Sequence, residues 1–253
     1  VRYIPPVALL GLLICGATLC WSGGGEITQA FTNQLAIDPL GRLFKCLFIA
    51  ITAVCIFTSV MSKELPRQNI GEYLALLLAI TLGMFLMASA NDFLLAYLGV
   101  EMVSIVSYAL AGYRLRDRRS SESALKYVIY GGVASGLMLF GISMLYGLFG
   151  TTEFTAIHHA LLGWETQHFA NSIALGQQVF PLTMMVALCL VFAGVGYKIA
   201  VVPFHMWSPD VYEGAPTPFT GFLSVGPKAA GFALLMRLLI TIFVSPSGEH
   251  GFL

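Results

Sequence analysis

Seven long runs of apolar residues constrain the fold of this 253-residue chain more than any other feature. A helix that crosses the hydrocarbon core of a bilayer needs about 20 consecutive, mostly apolar residues. Runs of about that length lie at residues 4–21, 40–62, 71–90, 92–113, 122–149, 179–206 and 217–244. They lack the alternation of barrel strands. The sequence therefore predicts an all-α integral membrane protein, with about seven transmembrane helices in a single transmembrane domain over residues 1–253.

The charge content excludes an ordinary soluble domain. Charged residues make up 10% of the chain and hydrophobic residues 57%, whereas soluble domains carry roughly 25% charged residues. We therefore expect the lipid bilayer to surround much of the protein. Thirteen basic and thirteen acidic residues cancel, which predicts no nucleic-acid partner. The cysteines lie in apolar runs without metal-ligand spacing, and we interpret all five as small buried hydrophobic residues: Cys15, Cys20, Cys46, Cys55 and Cys189.

Basic residues in the loops predict the orientation of the helices. The loop between the fourth and fifth runs holds Arg114, Arg116, Arg118 and Arg119, which marks it as cytoplasmic. Alternation then places the segments 22–39 and 150–178, which contain neither Lys nor Arg, on the outside. The second of these segments suggests a short amphipathic or re-entrant piece, and we expect its three histidines to be solvated rather than metal-bound: His158, His159 and His168.

Ionisable residues within or beside the apolar runs are the candidate functional residues. A charge near the bilayer centre costs about 2.5–3.5 kcal/mol by insertion scales, so such residues are kept where they are paired, hydrated or functional. Fixed structural ion pairs would meet the same cost. Buried lysine can exchange a proton whereas arginine stays charged, and three deep lysines against one deep arginine, Arg237, favour proton exchange. The candidates are Glu101, Lys126, Lys198, Lys228 and His205.

Glu101 lies near the middle of the fourth run. Helical spacing places it on one face with Tyr97, Ser104 and Tyr108, a polar stripe in an otherwise apolar helix. One interpretation is a protonated carboxyl that hydrogen-bonds a neighbour for packing. The other is a proton relay, because a carboxyl removed from water can exchange a proton near neutral pH.

Lys198 precedes a predicted helix break. Pro203 has no amide hydrogen to donate to the carbonyl of Ile199, and broken helices occur in membranes where the freed backbone lines a cavity or is buried in protein. We therefore expect a break near Pro203 and place Lys198 beside a cavity. His205 follows the proline, where it could extend a relay or be structural.

Lys126 and Lys228 differ in their expected depth in the membrane. Lys126 lies one turn into the fifth run, close enough to the cytoplasmic face for its ammonium to reach water, so a relay role and a surface role stay open. Lys228 lies near the middle of the seventh run, directly after Gly226 and Pro227, with Ser224 one turn away. A deep lysine near a proline thus occurs in two successive runs.

Two segments resemble a known family. Residues 90–101, A-N-D-F-L-L-A-Y-L-G-V-E, resemble the glutamate-bearing helix of the antiporter-like subunits of respiratory complex I. Residues 202–218, V-P-F-H-M-W-S-P-D-V-Y-E-G-A-P-T-P, begin with the V-P-F-H-x-W-x-P-D pattern found across those subunits. Their V-Y-x-G-A-P-x-P ending resembles the subunit N branch of NADH–quinone oxidoreductase rather than the L or M branches.

The resemblance implies a position in the family's helices for four of the five candidates. Glu101, Lys126, Lys198 and Lys228 match the ionisable residues of the family's fifth, sixth, seventh and eighth helices. Family members have about fourteen helices in two inverted repeats, so we expect this chain to cover helices two to eight, the N-terminal half of a larger subunit.

The implied function is proton translocation coupled to electron transfer from NADH to quinone in partner subunits. Family members bind no NADH, flavin or iron–sulfur cluster themselves, so these groups and quinone are expected in other subunits of the complex. The expected partners are neighbouring antiporter-like and small membrane subunits, and the expected location is a bacterial inner membrane. The alternatives are a subunit of a multisubunit cation/proton antiporter and a non-conducting scaffold subunit.

Overall fold

A computed structural model describes residues 3–21, 28–65, 67–114, 117–162 and 182–244. Within these residues, seven helices are long and apolar enough to cross a membrane, which confirms the predicted all-α membrane fold. The elements are α1 Ile4–Trp21, β1 Thr28–Ala30, β2 Leu35–Ile37, α2 Pro39–Met61, α3 Ile70–Ser89, α4 Phe93–Ala111, α5 Arg118–Phe149, α6 at 154–162, α7 Leu182–Ile199, α8 Ser208–Gly214 and α9 Thr217–Leu238. A π-helical turn, Leu239–Val244, continues α9.

Two of the helices differ clearly from the apolar runs. α5 begins at Arg118, four residues before the run 122–149, because Asp117 caps it and its carboxylate accepts a hydrogen bond from the Arg119 amide at 3.0 Å. α7 ends at Ile199, seven residues before the end of the run 179–206. Hydrophobicity alone locates neither boundary, because a cap is polar and a break can be apolar.

The helices α3 and α4 form a tight antiparallel pair joined by residues 90–92. Their backbones approach closely at Gly99, where an added Cβ would lie 3.0 Å from the Met87 nitrogen and 3.2 Å from the Gly83 oxygen. Small residues commonly permit such contacts between membrane helices. The pair therefore forms a closely packed support for the face of α4 that carries Glu101.

Three connections meet at one end of the bundle. The β1–β2 hairpin is antiparallel, and the Asn91 amide donates to the Gln34 oxygen at 2.8 Å. The Phe93 amide donates to Thr152 and the Phe154 amide to Asn91, at 2.9 and 3.0 Å. The connections predicted to be external therefore share one end, which we call the outer end; its orientation in a cell stays a prediction.

The opposite, inner end is joined by polar contacts between loops. Glu64 accepts hydrogen bonds from the backbone amide and the hydroxyl of Thr217, at 2.8 and 2.7 Å. These two bonds hold the pKa of Glu64 below its ordinary value. Arg114 donates to the carbonyl of Gly214 at 2.8 Å, and Arg119 pairs with Glu213 at 3.2 Å. These contacts join α8 to α5 and to the connection after α4, and they join the start of α9 to the connection after α2.

Two interpretations of single residue types need correction. Cys55 is buried, but Cys20, Cys46 and Cys189 are exposed on their helices. The sequence could not separate these cases, because a helix face turned to lipid is as apolar as one turned to the core.

The predicted short piece in the external segment is α6, and it buries one of its histidines. His158 is 7% exposed, so the expectation of a solvated side chain is wrong for it. Its Nδ1 lies 2.7 Å from the carbonyl oxygen of Ile242. Phe154, Ile157 and Leu161 are buried on the same helical face. His159 is exposed, and the prediction for His168 falls outside the described residues.

Candidate functional site

The apolar run 179–206 is broken, as predicted, but the break comes before Pro203, where α7 ends. Ala200 has a φ of 60°, in the left-handed region that alanine rarely adopts. The Ala200 amide donates to the Tyr197 oxygen at 3.1 Å and the Val201 amide to the Gly196 oxygen at 3.0 Å. This pattern is a Schellman motif, which ends a helix. Alanine in place of the usual glycine stores about 1–2 kcal/mol of backbone strain.

Lys198 lies in the last turn of α7, directly before this break. The residue is 3% exposed, and its Nζ donates a hydrogen bond to the Ser104 Oγ of α4 at 3.0 Å. The Ser104 hydroxyl in turn donates to the Val100 carbonyl at 2.7 Å. The negative end of the α7 dipole also favours a cation here. Lys198 is therefore buried at a helix terminus, and Ser104 of α4 provides it with a hydrogen-bond acceptor.

Glu101 lies one turn before Ser104 on the same face of α4. It is half-buried, accepts a hydrogen bond from the Ser135 hydroxyl of α5, and interacts with Tyr97 and with the charge of Lys198. The structure therefore brings Glu101 and Lys198 together, with Ser104 between them. An ammonium and a carboxylate in such a low-dielectric site stabilise each other's charged forms.

An aromatic cluster packs beside this pair. We use that name for Tyr108, Tyr127, Tyr197, Trp207 and Tyr212, whose neighbouring ring centroids lie 4.6–6.5 Å apart. The cluster runs from α4, α5 and α7 across the break to α8. It therefore links the end of α7, where Lys198 lies, to α4, α5 and α8 through ring contacts.

A glycine on α5 makes room for this cluster. An added Cβ at Gly131 would overlap the Tyr108 hydroxyl and lie 3.0 Å from the hydroxyl of Tyr197. Because those side chains are confined by their neighbours, no other residue fits at Gly131 without displacing a tyrosine.

Lys126 lies apart from Glu101 and Lys198. Its Nζ pairs with Glu122 and with Asp210 of α8, both at 2.9 Å, and its side chain is 39% exposed. A polar cavity of about 170 Å³ opens beside it at the inner end. The structure thus shows the surface position that the sequence left open, and a relay role for Lys126 stays a prediction.

Neither Lys228 nor His205 is hydrogen-bonded to Glu101 or Lys198. Lys228 is half-buried on α9, which continues through Pro227 without ending, and its Nζ lies 5.4 Å from the centroid of the Tyr212 ring. His205 lies between α7 and α8, and the Ser208 hydroxyl donates to its backbone oxygen at 2.9 Å. Its Nδ1 is buried and has no hydrogen-bond partner in the described ranges of the chain. Their relay roles stay predictions.

The deep arginine forms a fixed pair at the outer end. Arg237 is 4% exposed; its Nη2 lies 2.8 Å from Asp38 Oδ1, and its Nε donates to the Ala88 oxygen at 2.9 Å. Asp38 also caps α2 by accepting from the Gly41 amide at 2.8 Å. Sequence reasoning noted Arg237 and missed Asp38, although an Asp before Pro39 is an N-cap signal.

Other partners carried no usable signal in the sequence. Ser135 contacts Glu101 from 34 residues away, and Asp210 contacts Lys126 from 84 residues away. Polar pairs at such separations are set by how the helices pack. Within the described residues, no group of three or more His, Cys, Asp or Glu residues is placed to hold a metal ion.

Replacement of Ser104 by alanine is expected to destabilise the protein by about 1–3 kcal/mol, because the buried Lys198 donor loses its acceptor. The matched control is Ser107→Ala. Ser107 is also buried on α4, but its hydroxyl donates to its own helix, at Val103, and holds no lysine. Thermal unfolding of the purified variants in detergent measures both effects. Equal losses would show that Ser104 does not support Lys198.

Comparison with known proteins gives consistent results. Residues 90–253 match the family described as NADH:quinone oxidoreductase/Mrp antiporter, TM. NADH-quinone oxidoreductase subunit N of Anaeromyxobacter sp. (strain Fw109-5) is 52% identical over 94% of this chain and 45% of its own length. NAD(P)H-quinone oxidoreductase subunit 2 of Rippkaea orientalis is 41% identical over 99% and 46%, respectively. This chain therefore spans just under half the length of these relatives.

Solved structures share the fold. A chain of respiratory complex I from Thermus thermophilus with bound aureothin matches with a TM-score of 0.75 and 30% identity, over 93% of this chain and 48% of that one. A chain of the Mrp complex from Dietzia sp. DQ12-45-1b matches with a TM-score of 0.75 at 22% identity, over 96% and 44%, which supports the fold alone. The resemblance seen in residues 90–101 and 202–218 is confirmed, and the chain belongs to the NADH:quinone oxidoreductase/Mrp antiporter family of membrane proteins.

Proposed function

We propose that this chain translocates protons across a membrane as part of a NADH–quinone oxidoreductase, with Lys198 as the group that binds and releases the proton. The observation that carries the proposal is the buried Lys198 ammonium at an interrupted helix, hydrogen-bonded to Ser104 and attracted by Glu101. A permanently charged group would suffice for structure, whereas lysine can also release its proton. The 52% identity to a subunit N supports the oxidoreductase context.

The proposed coupling is electrostatic. A charge change elsewhere in the complex alters the field at Glu101, and the carboxylate then stabilises the Lys198 ammonium more or less strongly. When that attraction weakens, Lys198 releases a proton towards Lys228. Lys126 and His205 are proposed to join the path on the inner side, where Lys126 lies beside a polar cavity.

The proposal assigns the redox chemistry to partner subunits. NADH, flavin, iron–sulfur clusters and quinone are proposed to bind there, and this chain is proposed to have no redox centre of its own. Neighbouring antiporter-like and small membrane subunits are the proposed partners. The bacterial relatives support a bacterial inner membrane as the location.

Two other functions fit the same fold. A cation/proton antiporter subunit is a candidate because the family description includes the Mrp antiporters, and sodium dependence of transport would favour it. A scaffold subunit would need its buried charges for assembly but not for coupling. We prefer the oxidoreductase function because the sequence of this chain is 52% identical to that of a subunit N.

The test is Glu101→Gln in the complete complex reconstituted into liposomes. Glutamine keeps the size and the hydrogen-bonding ability but removes the charge that attracts Lys198, so we expect fewer protons translocated per electron while electron transfer continues. The control is Glu72→Gln, at an exposed carboxylate in the first turn of α3. An unchanged proton yield for Glu101→Gln would count against the proposed coupling.

A further inference from the structure

Lys228 lies within a membrane helix, and its ammonium contacts the ring of Tyr212. None of the salt bridges formed among the described residues includes Lys228. Its Nζ lies 5.4 Å from the centroid of the Tyr212 ring, inside the distance of about 6 Å at which a cation and an aromatic face attract. The Tyr212 ring therefore lies beside the ammonium, in the place where a carboxylate partner would be expected.

The position of Tyr212 is fixed from several sides. The Tyr212 ring packs edge-on against Trp207, with centroids 6.3 Å apart at 76°. The Thr220 hydroxyl of α9 donates to the Tyr212 carbonyl at 3.4 Å. At the end of α8, Arg114 donates to the Gly214 carbonyl at 2.8 Å. The backbone at Tyr212 is therefore held by α9 and by Arg114, and the ring is held by Trp207.

The contact acts through the ring and not through the hydroxyl. The Tyr212 Oη is buried and has no hydrogen-bond partner among the residues that the structure describes, so it makes no hydrogen bond to the lysine. The negative face of the ring attracts an ammonium but gives a neutral amine no comparable stabilisation. Tyr212 consequently holds Lys228 through the charge of the ammonium and not through a hydrogen bond.

Other titratable groups lie on the helices packed against α9. Lys198 on α7 has the same charge as Lys228, and its Cβ lies 3.6 Å from the Cβ position at Gly231, one turn along α9. Of all these groups, Tyr212 is the one whose contact with the Lys228 ammonium is seen in the described part of the chain. The others include Asp210 and Glu213 on α8, Glu101 and Tyr108 on α4, Tyr73 on α3 and Cys55 on α2.

We propose that Tyr212 is a positioning residue that holds the Lys228 ammonium through its ring, so that α8 keeps Lys228 in place on the proton path. Lys198 and Tyr212 lie on the two sides of the break after α7, and each supports a different part of the path. The inference rests on the proposed function, in which Lys228 receives the proton from Lys198.

The experiment measures protons translocated per electron in liposomes that hold the complete complex. Tyr212→Leu removes the ring, so the Lys228 ammonium is no longer held in place, and part of the proton yield is expected to be lost while electron transfer continues. Tyr212→Phe keeps the ring and is expected to retain the wild-type yield. Tyr212→Met takes the place of leucine if that variant does not assemble.

The controls separate the inference from the proposed function. Tyr130→Leu, at an exposed position of α5, is expected to leave the proton yield unchanged. If Lys228→Ala leaves the proton yield unchanged, the relay role of Lys228 fails and the inference fails with it. If Lys228→Ala lowers the yield but Tyr212→Leu keeps the wild-type yield, the relay stands and the role of Tyr212 is overturned. A loss in Tyr212→Phe equal to that in Tyr212→Leu would also overturn it.

Discussion

Replacement of Lys198 by methionine is expected to abolish the share of proton translocation that passes through this chain, while electron transfer continues. Methionine approximates the length of the lysine stem without its charge, so it separates loss of the ammonium from the cavity that alanine would leave. The residue is 3% exposed and its Nζ donates to Ser104 at 3.0 Å, so no solvent group is positioned to replace it. Lys198→Ala is expected to show the same loss together with lower stability.

Lys198→Arg distinguishes a titrating group from a fixed charge. Arginine preserves the positive charge beside Glu101, but at pH 7 its deprotonated fraction is on the order of 10⁻⁵ or less. If Lys198 must release its proton, arginine is expected to fail as completely as methionine. A structural ion pair would tolerate arginine far better.

The measurement is the number of protons translocated per electron in liposomes that hold the complete complex. The control is Lys63→Ala, which removes an exposed lysine at the inner end. If the Lys198 variants assemble and translocate protons at the wild-type yield, the lysine is structural, and the scaffold function becomes the better account.

The sequence predicted the helices well because the bilayer allows few alternatives. Long apolar runs must become helices when no water is available for the backbone, so the existence of seven spans followed from hydrophobicity. The exact ends did not. The end of α7 depends on a left-handed Ala200, a conformation that no residue pattern around position 200 indicates, whereas Pro203 gave a correct but approximate signal.

The sequence identified candidate residues for the site but not the contacts between them. Glu101, Lys198 and Lys228 stood out because charge is costly in lipid, and the helical spacing of Ser104 on the Glu101 face was readable from the sequence. Helical spacing within one span says nothing about which residue of another span lies opposite. The contacts from Ser104 to Lys198 and from Tyr212 to Lys228 therefore required the packing of α4, α7, α8 and α9.

Loss of the Arg237 guanidinium is expected to have the largest effect on stability. Arg237→Leu leaves the Asp38 carboxylate, which is 16% exposed, without its cation, and it frees the Ala88 carbonyl. Removal of one partner from a buried ion pair typically costs about 3–5 kcal/mol. We expect a loss of that order, measured as the free energy of unfolding of the purified protein in detergent. Arg67→Leu, at an exposed arginine, is the control and is expected to change little.

A double variant shows whether the loss arises from the unpaired charge. Asp38→Asn removes the carboxylate charge but keeps a side-chain oxygen that can accept from the Gly41 amide and cap α2. Since the double variant Arg237→Leu/Asp38→Asn buries no unpaired charge, we expect it to be more stable than Arg237→Leu alone. If the double variant is less stable than Arg237→Leu, the contribution of Arg237 comes from its packing and its bond to Ala88 rather than from Asp38. The outer-end pair would then be a helix contact with no electrostatic role.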